Sequence, residues 1–87
     1  MGLRTRVSNM KKYIYKRYYI TCGSKYFCGT YTYQGCLYAI WGDKFSAKEY
    51  RKINSVNAMK ERLESKYIFG DHEDKDIEIE TLEKECY

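Results

Sequence analysis

Residues 11–41 constrain the fold most strongly, because tyrosines and other strand-forming residues alternate through this stretch with glycine-containing breaks between them. It holds eight of the eleven tyrosines and no acidic residue. Tyr, Ile, Thr and Trp favour strands, and Gly23-Ser24 and Gln34-Gly35 are typical of tight hairpin turns. The stretch therefore predicts a basic, tyrosine-rich antiparallel meander of three strands, at residues 11–22, 25–33 and 36–41.

Alternation along the first predicted strand divides its side chains between two faces. The face that carries both isoleucines is expected to lie on the core, and it consists of Ile14, Lys16, Tyr18, Ile20 and Cys22. The opposite face is expected to stay open, and it consists of Tyr13, Tyr15, Arg17, Tyr19 and Thr21.

A single helix is predicted after the meander. Ser55 is the expected N-cap, because its side-chain oxygen can accept a hydrogen bond from an amide of the first turn. Val56, Met59, Leu63 and Tyr67 recur at intervals of three and four residues and predict one apolar stripe. A helix of about three turns is not stable alone, so we expect it to dock on the sheet.

One more strand is expected near the C-terminus, where Ile77 and Ile79 alternate with Glu78 and Glu80 as far as Leu82. The predicted fold class is α+β, in the order β-β-β-α-β, with the helix packed on one sheet face. A chain of 87 residues is expected to form one domain. That domain spans residues 11–82, between a flexible arm at 1–10 and a tail at 83–87.

The charge is distributed very unevenly along the chain. Residues 1–42 carry a charge of +7, residues 43–66 carry +3 and residues 67–87 carry −6, within a total of +4. A basic half of this kind is typical of a surface for nucleic acid or for an acidic protein. Alternatively, the acidic last strand pairs beside the basic first strand and neutralises it.

No motif in the sequence predicts a metal site or catalysis. The cysteines Cys22, Cys28, Cys36 and Cys86 form no CxxC pair and are expected to be reduced thiols. The one histidine, His72, lies in the acidic segment 71–76 and is expected to be a solvated loop residue. We therefore expect no metal, no cofactor and no enzyme activity.

The chain has no apolar run of the roughly 20 residues that a membrane span needs, and its basic N-terminal segment is not followed by an apolar export segment. We expect a cytoplasmic protein without a membrane partner.

Two binding hypotheses remain for the open face of the first strand. Tyr and Arg are enriched at the centres of protein interfaces, which favours a protein or ribonucleoprotein partner. Alternatively, exposed tyrosines stack on the bases of single-stranded nucleic acid while cations contact its phosphates. Both hypotheses use the same candidate residues, namely Lys11, Lys12, Tyr13, Tyr15, Lys16, Arg17, Tyr19 and Lys25.

A third interpretation is structural: the tyrosines cover both faces of a small sheet, or pair across a homodimer. The binding hypotheses predict instead that alanine at both Tyr15 and Arg17 abolishes partner binding and leaves the fold intact.

The order of elements resembles that of small orphan proteins of phages and other mobile elements, some of which are anti-CRISPR proteins. The resemblance rests on a hairpin, a strand ending at Trp41, the A-x-x-Y segment Ala47–Tyr50, Ser55 before a helix with Ala58 and Leu63, and a short I-E-I strand. It implies a small, non-enzymatic inhibitor that acts in the host cytoplasm by binding a nucleic-acid-acting defence complex. It assigns no role to any single residue.

Overall fold

The computed structural model describes the backbone of residues 13–86 and the side chains of residues 14–84. It contains five β-strands, one short 3-10 helix at Lys44–Ser46 and one α-helix, which confirms the α+β class. The strands are β1 (Tyr13–Cys22), β2 (Lys25–Tyr33), β3 (Cys36–Gly42), β4 (Ile68–Phe69) and β5 (Glu78–Cys86), and the helix is α1 (Ile53–Glu64).

The strands form one sheet in the order β4-β3-β2-β1-β5. The hairpin between β2 and β3 turns at Gln34 and Gly35, whose φ angles of 52° and 79° suit a tight two-residue turn. At the far edge β5 lies antiparallel to β1 along nine residue pairs. This pairing is the one that the second interpretation of the charge asymmetry predicts, with an acidic strand beside a basic one.

The sheet divides between β1 and β2. These strands pair only next to their turn, at Thr21 with Tyr26 and at Cys22 with Lys25. Farther along, the chain between β3 and α1 enters the gap: Lys48 N–H donates to the carbonyl of Phe27, and Tyr50 exchanges two backbone hydrogen bonds with Tyr18. The gap gives the chain a path from the end of β3 to the sheet face on which α1 packs.

The hydrophobic core lies between α1 and one face of the sheet. Its fully packed members come from three strands, the helix and the segment before β5, and they are Ile20, Phe27, Val56, Leu63, Ile68 and Ile77. The predicted core face of β1 is confirmed at Ile20 and Cys22, which are buried, but Ile14 and Lys16 are exposed. Within residues 13–86, the N-terminal half of β1 pairs only with β5 and extends beyond the helix, so none of these residues covers it there.

The helix differs from its prediction at both ends. It begins at Ile53, with Lys52 as the N-cap and no side-chain cap, so Ser55 lies inside its first turn. Backbone pairing of Tyr50 with Tyr18 of β1 fixes the position of the chain just before the helix, and the chain then turns directly into the helix. The helix ends at Glu64, before Tyr67, whose side chain is 83% exposed and not part of the apolar stripe.

Two further differences concern the C-terminal third. A fifth strand, β4, pairs parallel with β3 over two residue pairs and was not predicted. The strand β5 continues to Cys86 rather than ending at Leu82. Among the described residues, no helix is long and apolar enough to cross a bilayer.

Candidate binding surface

The sheet face opposite α1 is the open face of the described residues. On β3, side chains alternate between the two faces: Leu37, Ala39 and Trp41 pack towards the core, so Tyr38 and Ile40 lie on the open face. On β2, the register irregularity between Phe27 and Gly29 shifts the alternation. Beyond this bulge, Tyr31 and Tyr33 of β2 lie on the same face as Tyr38 of β3.

Four aromatic rings form a cluster on the open face, and Ile40 lies on the same face of β3, two residues after Tyr38. We call these five side chains the aromatic patch: Tyr31, Tyr33, Tyr38, Ile40 and Phe69. The Tyr38 ring lies at its centre, with ring centroids 5.4 Å from Tyr31, 6.5 Å from Tyr33 and 5.7 Å from Phe69. Tyr31 is 50% exposed, Tyr33 57%, Ile40 42% and Phe69 38%. No described residue forms a layer over this cluster.

The backbone pairing explains why these rings meet. Tyr31 lies directly opposite Tyr38 in the antiparallel ladder of β2 and β3. Phe69 lies directly beside Tyr38 in the parallel pairing of β3 and β4. Directly paired residues of neighbouring strands share a face, so three strands bring their aromatic rings to one surface.

Four of the five patch residues lie in an uncharged part of the chain, and Phe69 joins them from β4. From Tyr26 to Gly42 the sequence contains no Asp, Glu, Lys, Arg or His. The patch therefore offers ring faces, methyl groups and tyrosine hydroxyls, but no cation for a phosphate. Such chemistry suits the apolar centre of a protein interface.

The β1 half of the open face is chemically different, because its polar groups already have partners. The Arg17 guanidinium lies over the Tyr15 ring, 4.1 Å from its centroid, and its Nε donates to Glu49 Oε1 at 3.2 Å. The prediction that Tyr19 stays open is wrong, because its side chain is only 7% exposed and its hydroxyl donates to Glu49 Oε2 at 2.9 Å. Burial of Tyr19, together with this bond to Glu49, raises the pKa of its hydroxyl above the ordinary value.

Other cations of the sheet are also paired with carboxylates. Lys16 Nζ lies 3.3 Å from Glu83, and Lys25 Nζ lies 3.6 Å from Asp71. These pairs reduce the positive charge that β1 and its turn present to a phosphate.

The predicted site residues are only partly brought together. Tyr15, Arg17 and Tyr19 form one cluster, whereas Lys16 lies on the opposite face of β1 and Lys25 lies at the turn. Lys11 and Lys12 lie outside the described residues, and Tyr13 is described only in its backbone. Their role in binding a partner stays a prediction.

Sequence reasoning missed the aromatic patch, although the absence of charge between Tyr26 and Gly42 could have indicated it. Alternation assigns Tyr31 and Tyr33 to one face of β2, but it does not show which face the helix covers. The bulge after Phe27 also changes the alternation in a way that no local pattern predicts.

The prediction for His72 is wrong, because its side chain is buried. Trp41 Nε1 donates to His72 Nδ1 at 3.3 Å, and His72 Nε2 lies 3.0 Å from the carbonyl of Ile68. Trp41 can only donate and the carbonyl can only accept, so these two contacts suit the tautomer that carries its hydrogen on Nε2. Gly70 permits this arrangement, because a Cβ there would lie 3.1 Å from His72 Nδ1. Both ring nitrogens of His72 thus serve the structure.

A cleft of about 230 Å³ lies beside His72, between the end of α1 and the loop before β5. Its floor is apolar, with Leu63, Ile68 and Ile77, and charged residues of both signs line its rim. Within the described part of the chain, no three His, Cys, Asp or Glu side chains are grouped so that they could hold a metal ion.

Comparisons with family models, with curated proteins and with solved structures find no match to this chain.

Proposed function

We propose that this chain is a non-enzymatic binding protein that docks on a protein partner through the aromatic patch. The observation that carries the proposal is a continuous, uncharged cluster of exposed aromatic rings on the sheet face opposite α1. Exposed clusters of this kind mark interaction sites in folded proteins.

The size of the aromatic patch supports this function. A fully buried aromatic side chain removes about 150 to 250 Å² from water, so the exposed fractions of this cluster amount to roughly 300 to 500 Å². That is comparable with the largest apolar patch on an ordinary monomer, which is often functional. Tyrosine is also among the residues that contribute most to binding when it lies at the centre of an interface.

A protein partner fits the aromatic patch better than a nucleic acid does. Binding of single-stranded nucleic acid combines stacking rings with cations that follow the backbone. The strands that carry Tyr31 and Tyr38 have no cation after Lys25, and Lys25 lies near Asp71. An apolar protein surface needs no such cations.

The finer proposal follows from the resemblance to small proteins of phages and mobile elements. In that proposal the partner is a host nucleic-acid-acting defence complex, which the chain inhibits in the cytoplasm by occupying a surface. The inhibition is stoichiometric and needs neither a cofactor nor a catalytic residue. A plasmid-interference assay with bacteria that carry defence systems of several types tests this step, because an inhibitor restores uptake of the targeted plasmid.

Position-specific photo-crosslinking tests the docking surface. Benzoylphenylalanine replaces Tyr31 in the aromatic patch, and in a matched control it replaces Glu61, which is exposed on α1. Both variants are expressed in the cells from which the gene comes and irradiated. The proposal predicts one discrete adduct with a second protein from position 31 and none from position 61.

Three results would count against it. An adduct of the same protein from both positions would show that contact does not depend on the patch. An adduct between two copies of this chain would show that the patch forms a homodimer rather than binding a host protein. The absence of any adduct at position 31 would show that the patch is not a docking surface.

A further inference from the structure

The segment that passes through the gap in the sheet, residues 44–52, has a composition unlike that of the aromatic patch, and we call it the strap. It contains four basic residues, Lys44, Lys48, Arg51 and Lys52, and one acidic residue, Glu49, which gives it a net charge of +3. Glu49 is already bound to Arg17 and Tyr19. The exposed charge of the strap is therefore positive.

Phe45 is the most exposed large apolar side chain among the described residues, at 99%. The surrounding turn is ordered by hydrogen bonds: Ser46 N–H donates to the Asp43 side chain at 3.1 Å, and Ala47 N–H donates to the Lys44 carbonyl at 3.2 Å. The ring of Phe45 thus projects from a defined turn and adds nothing to the core. An aromatic ring in this position has a free face for stacking.

Three cations of the strap have no carboxylate partner among the described side chains. Lys48, Arg51 and Lys52 are exposed, and none of them lies within 4.0 Å of a described carboxylate. Lys44, by contrast, is paired with Glu80 at 3.3 Å. The strap thus presents three free positive charges within five residues, close in sequence to one free ring.

From this combination we propose that the strap is a contact surface for single-stranded nucleic acid. Phe45 stacks on a base, while Lys48, Arg51 and Lys52 contact phosphates of the same strand as it crosses the strap. The surface is separate from the aromatic patch and does not depend on it.

Nucleic acid suits the strap better than an anionic membrane does. Peripheral membrane binding by a protein segment buries an extended apolar face in the interface. The strap has a single fully exposed ring, Phe45, and the ring of Tyr50 is half-buried against the core. One ring is enough to stack on one base.

Fluorescence anisotropy with a labelled 20-nucleotide oligo(dT) or oligo(U) tests the proposal across a salt series. The wild-type chain should bind at low salt, with a slope of log affinity against log salt near −2 for three phosphate contacts. Phe45→Ala should weaken binding by roughly five- to a hundredfold, which is the usual loss for one stacked base. Circular dichroism should show no change, because the Phe45 ring is 99% exposed and packs against none of the described residues.

Two matched controls make the test specific to the strap. Tyr67→Ala removes another highly exposed ring and should leave affinity unchanged. The first triple variant, Lys48→Gln/Arg51→Gln/Lys52→Gln, should remove most of the salt dependence of binding. The second, Lys66→Gln/Lys75→Gln/Lys84→Gln, removes the same amount of charge elsewhere. It should change the salt dependence of binding much less.

Any of three outcomes would overturn the proposal. Binding could be absent at 20 mM salt, or the two triple variants could lose affinity equally, which would indicate attraction by net charge alone. In the third outcome, Phe45→Ala abolishes sedimentation with vesicles of 30% phosphatidylserine in phosphatidylcholine but leaves oligonucleotide binding unchanged. That result would assign the strap to a membrane.

Discussion

At the scale of single residues, the hydroxyl of Tyr50 is an unsatisfied group. It is buried and has no hydrogen-bond partner among the described residues, although the Tyr50 ring packs against the core. Burial also raises the pKa of this hydroxyl. An unpaired buried hydroxyl costs free energy that its removal would recover.

We therefore expect Tyr50→Phe to raise the free energy of unfolding by about 1 kcal/mol. Urea unfolding followed by circular dichroism measures this change. Tyr26→Phe is the matched control, because the Tyr26 hydroxyl donates to Glu80 Oε1 at 2.8 Å. The control should not gain stability, and a loss of stability in Tyr50→Phe would contradict the assignment of an unsatisfied hydroxyl.

The raised pKa of Tyr19 predicts a loss of stability at alkaline pH. Its folded-state pKa lies above the unfolded value of about 10, because burial and the bond to Glu49 favour the neutral hydroxyl. The folded state therefore holds this proton more tightly, and the stabilisation is complete below pH 10 and is lost as pH rises through the folded pKa.

Urea unfolding between pH 8 and pH 11 measures this dependence. The decline in the free energy of unfolding above pH 10 should be shallower in Tyr19→Phe than in the wild type. Equal slopes in the two proteins would show that Tyr19 makes no contribution to the alkaline loss.

His72 shows why some single residues are beyond prediction from the sequence. Its neighbours in the chain are carboxylates, which favours a solvated loop. Its position depends instead on Trp41, which lies 31 residues away and reaches it only after β3 and the loop have packed together. Local composition contains no information about that contact.

At the scale of elements, Glu49 connects the strap to β1. One carboxylate accepts from both Arg17 and Tyr19, so its loss would remove two contacts between the strap and the sheet. Glu49 is nearly half exposed, and water therefore replaces part of what is lost.

We expect Glu49→Gln to lower the free energy of unfolding by about 1 kcal/mol, because the amide can accept only one of the two hydrogen bonds well. Glu61→Gln, an exposed change on α1, is the matched control and should alter stability by less than about 0.5 kcal/mol. Midpoints of urea unfolding compare the two variants. Equal effects would mean that the strap is held by its backbone pairing alone.

The elements with the clearest local patterns were predicted best. The bounds of β2 are those that alternation and the flanking turns indicate, and β3 is longer by one residue. The sequence did not predict β4, because two residues are too few to show a period. The predicted start of α1 was wrong, because pairing between Tyr50 and Tyr18 determines where the chain leaves the sheet.

At the scale of the whole molecule, one helix covers one face of a divided sheet, and none of the residues that the structure describes forms a second layer on the other face. The pairing of β5 with β1 places acidic residues beside the basic strand, so charge asymmetry along the sequence becomes partial neutralisation in the fold. The sequence alone therefore suggested a basic binding face on β1. The fold places the free apolar surface on β2, β3 and β4 and the free cations of the strap beside the gap.

The sequence did not predict which tyrosines are exposed. Alternation assigned Tyr15 and Tyr19 to the open face, whereas Tyr19 is buried and the aromatic patch lies on β2, β3 and β4. Which tyrosines are free depends on where the strap and β5 lie, and those contacts join residues far apart in the chain.

The most direct test of the account is a comparison of two double variants in their affinity for the protein that crosslinks at position 31. Isothermal titration calorimetry should show that Tyr31→Ala/Phe69→Ala weakens binding at least about a hundredfold, as expected for two rings in an interface centre. Tyr15→Ala/Arg17→Ala, on the β1 half of the open face, should weaken it less than about tenfold. The reverse order, with the fold of both variants verified by circular dichroism, would contradict the aromatic patch as the docking surface and place binding on β1.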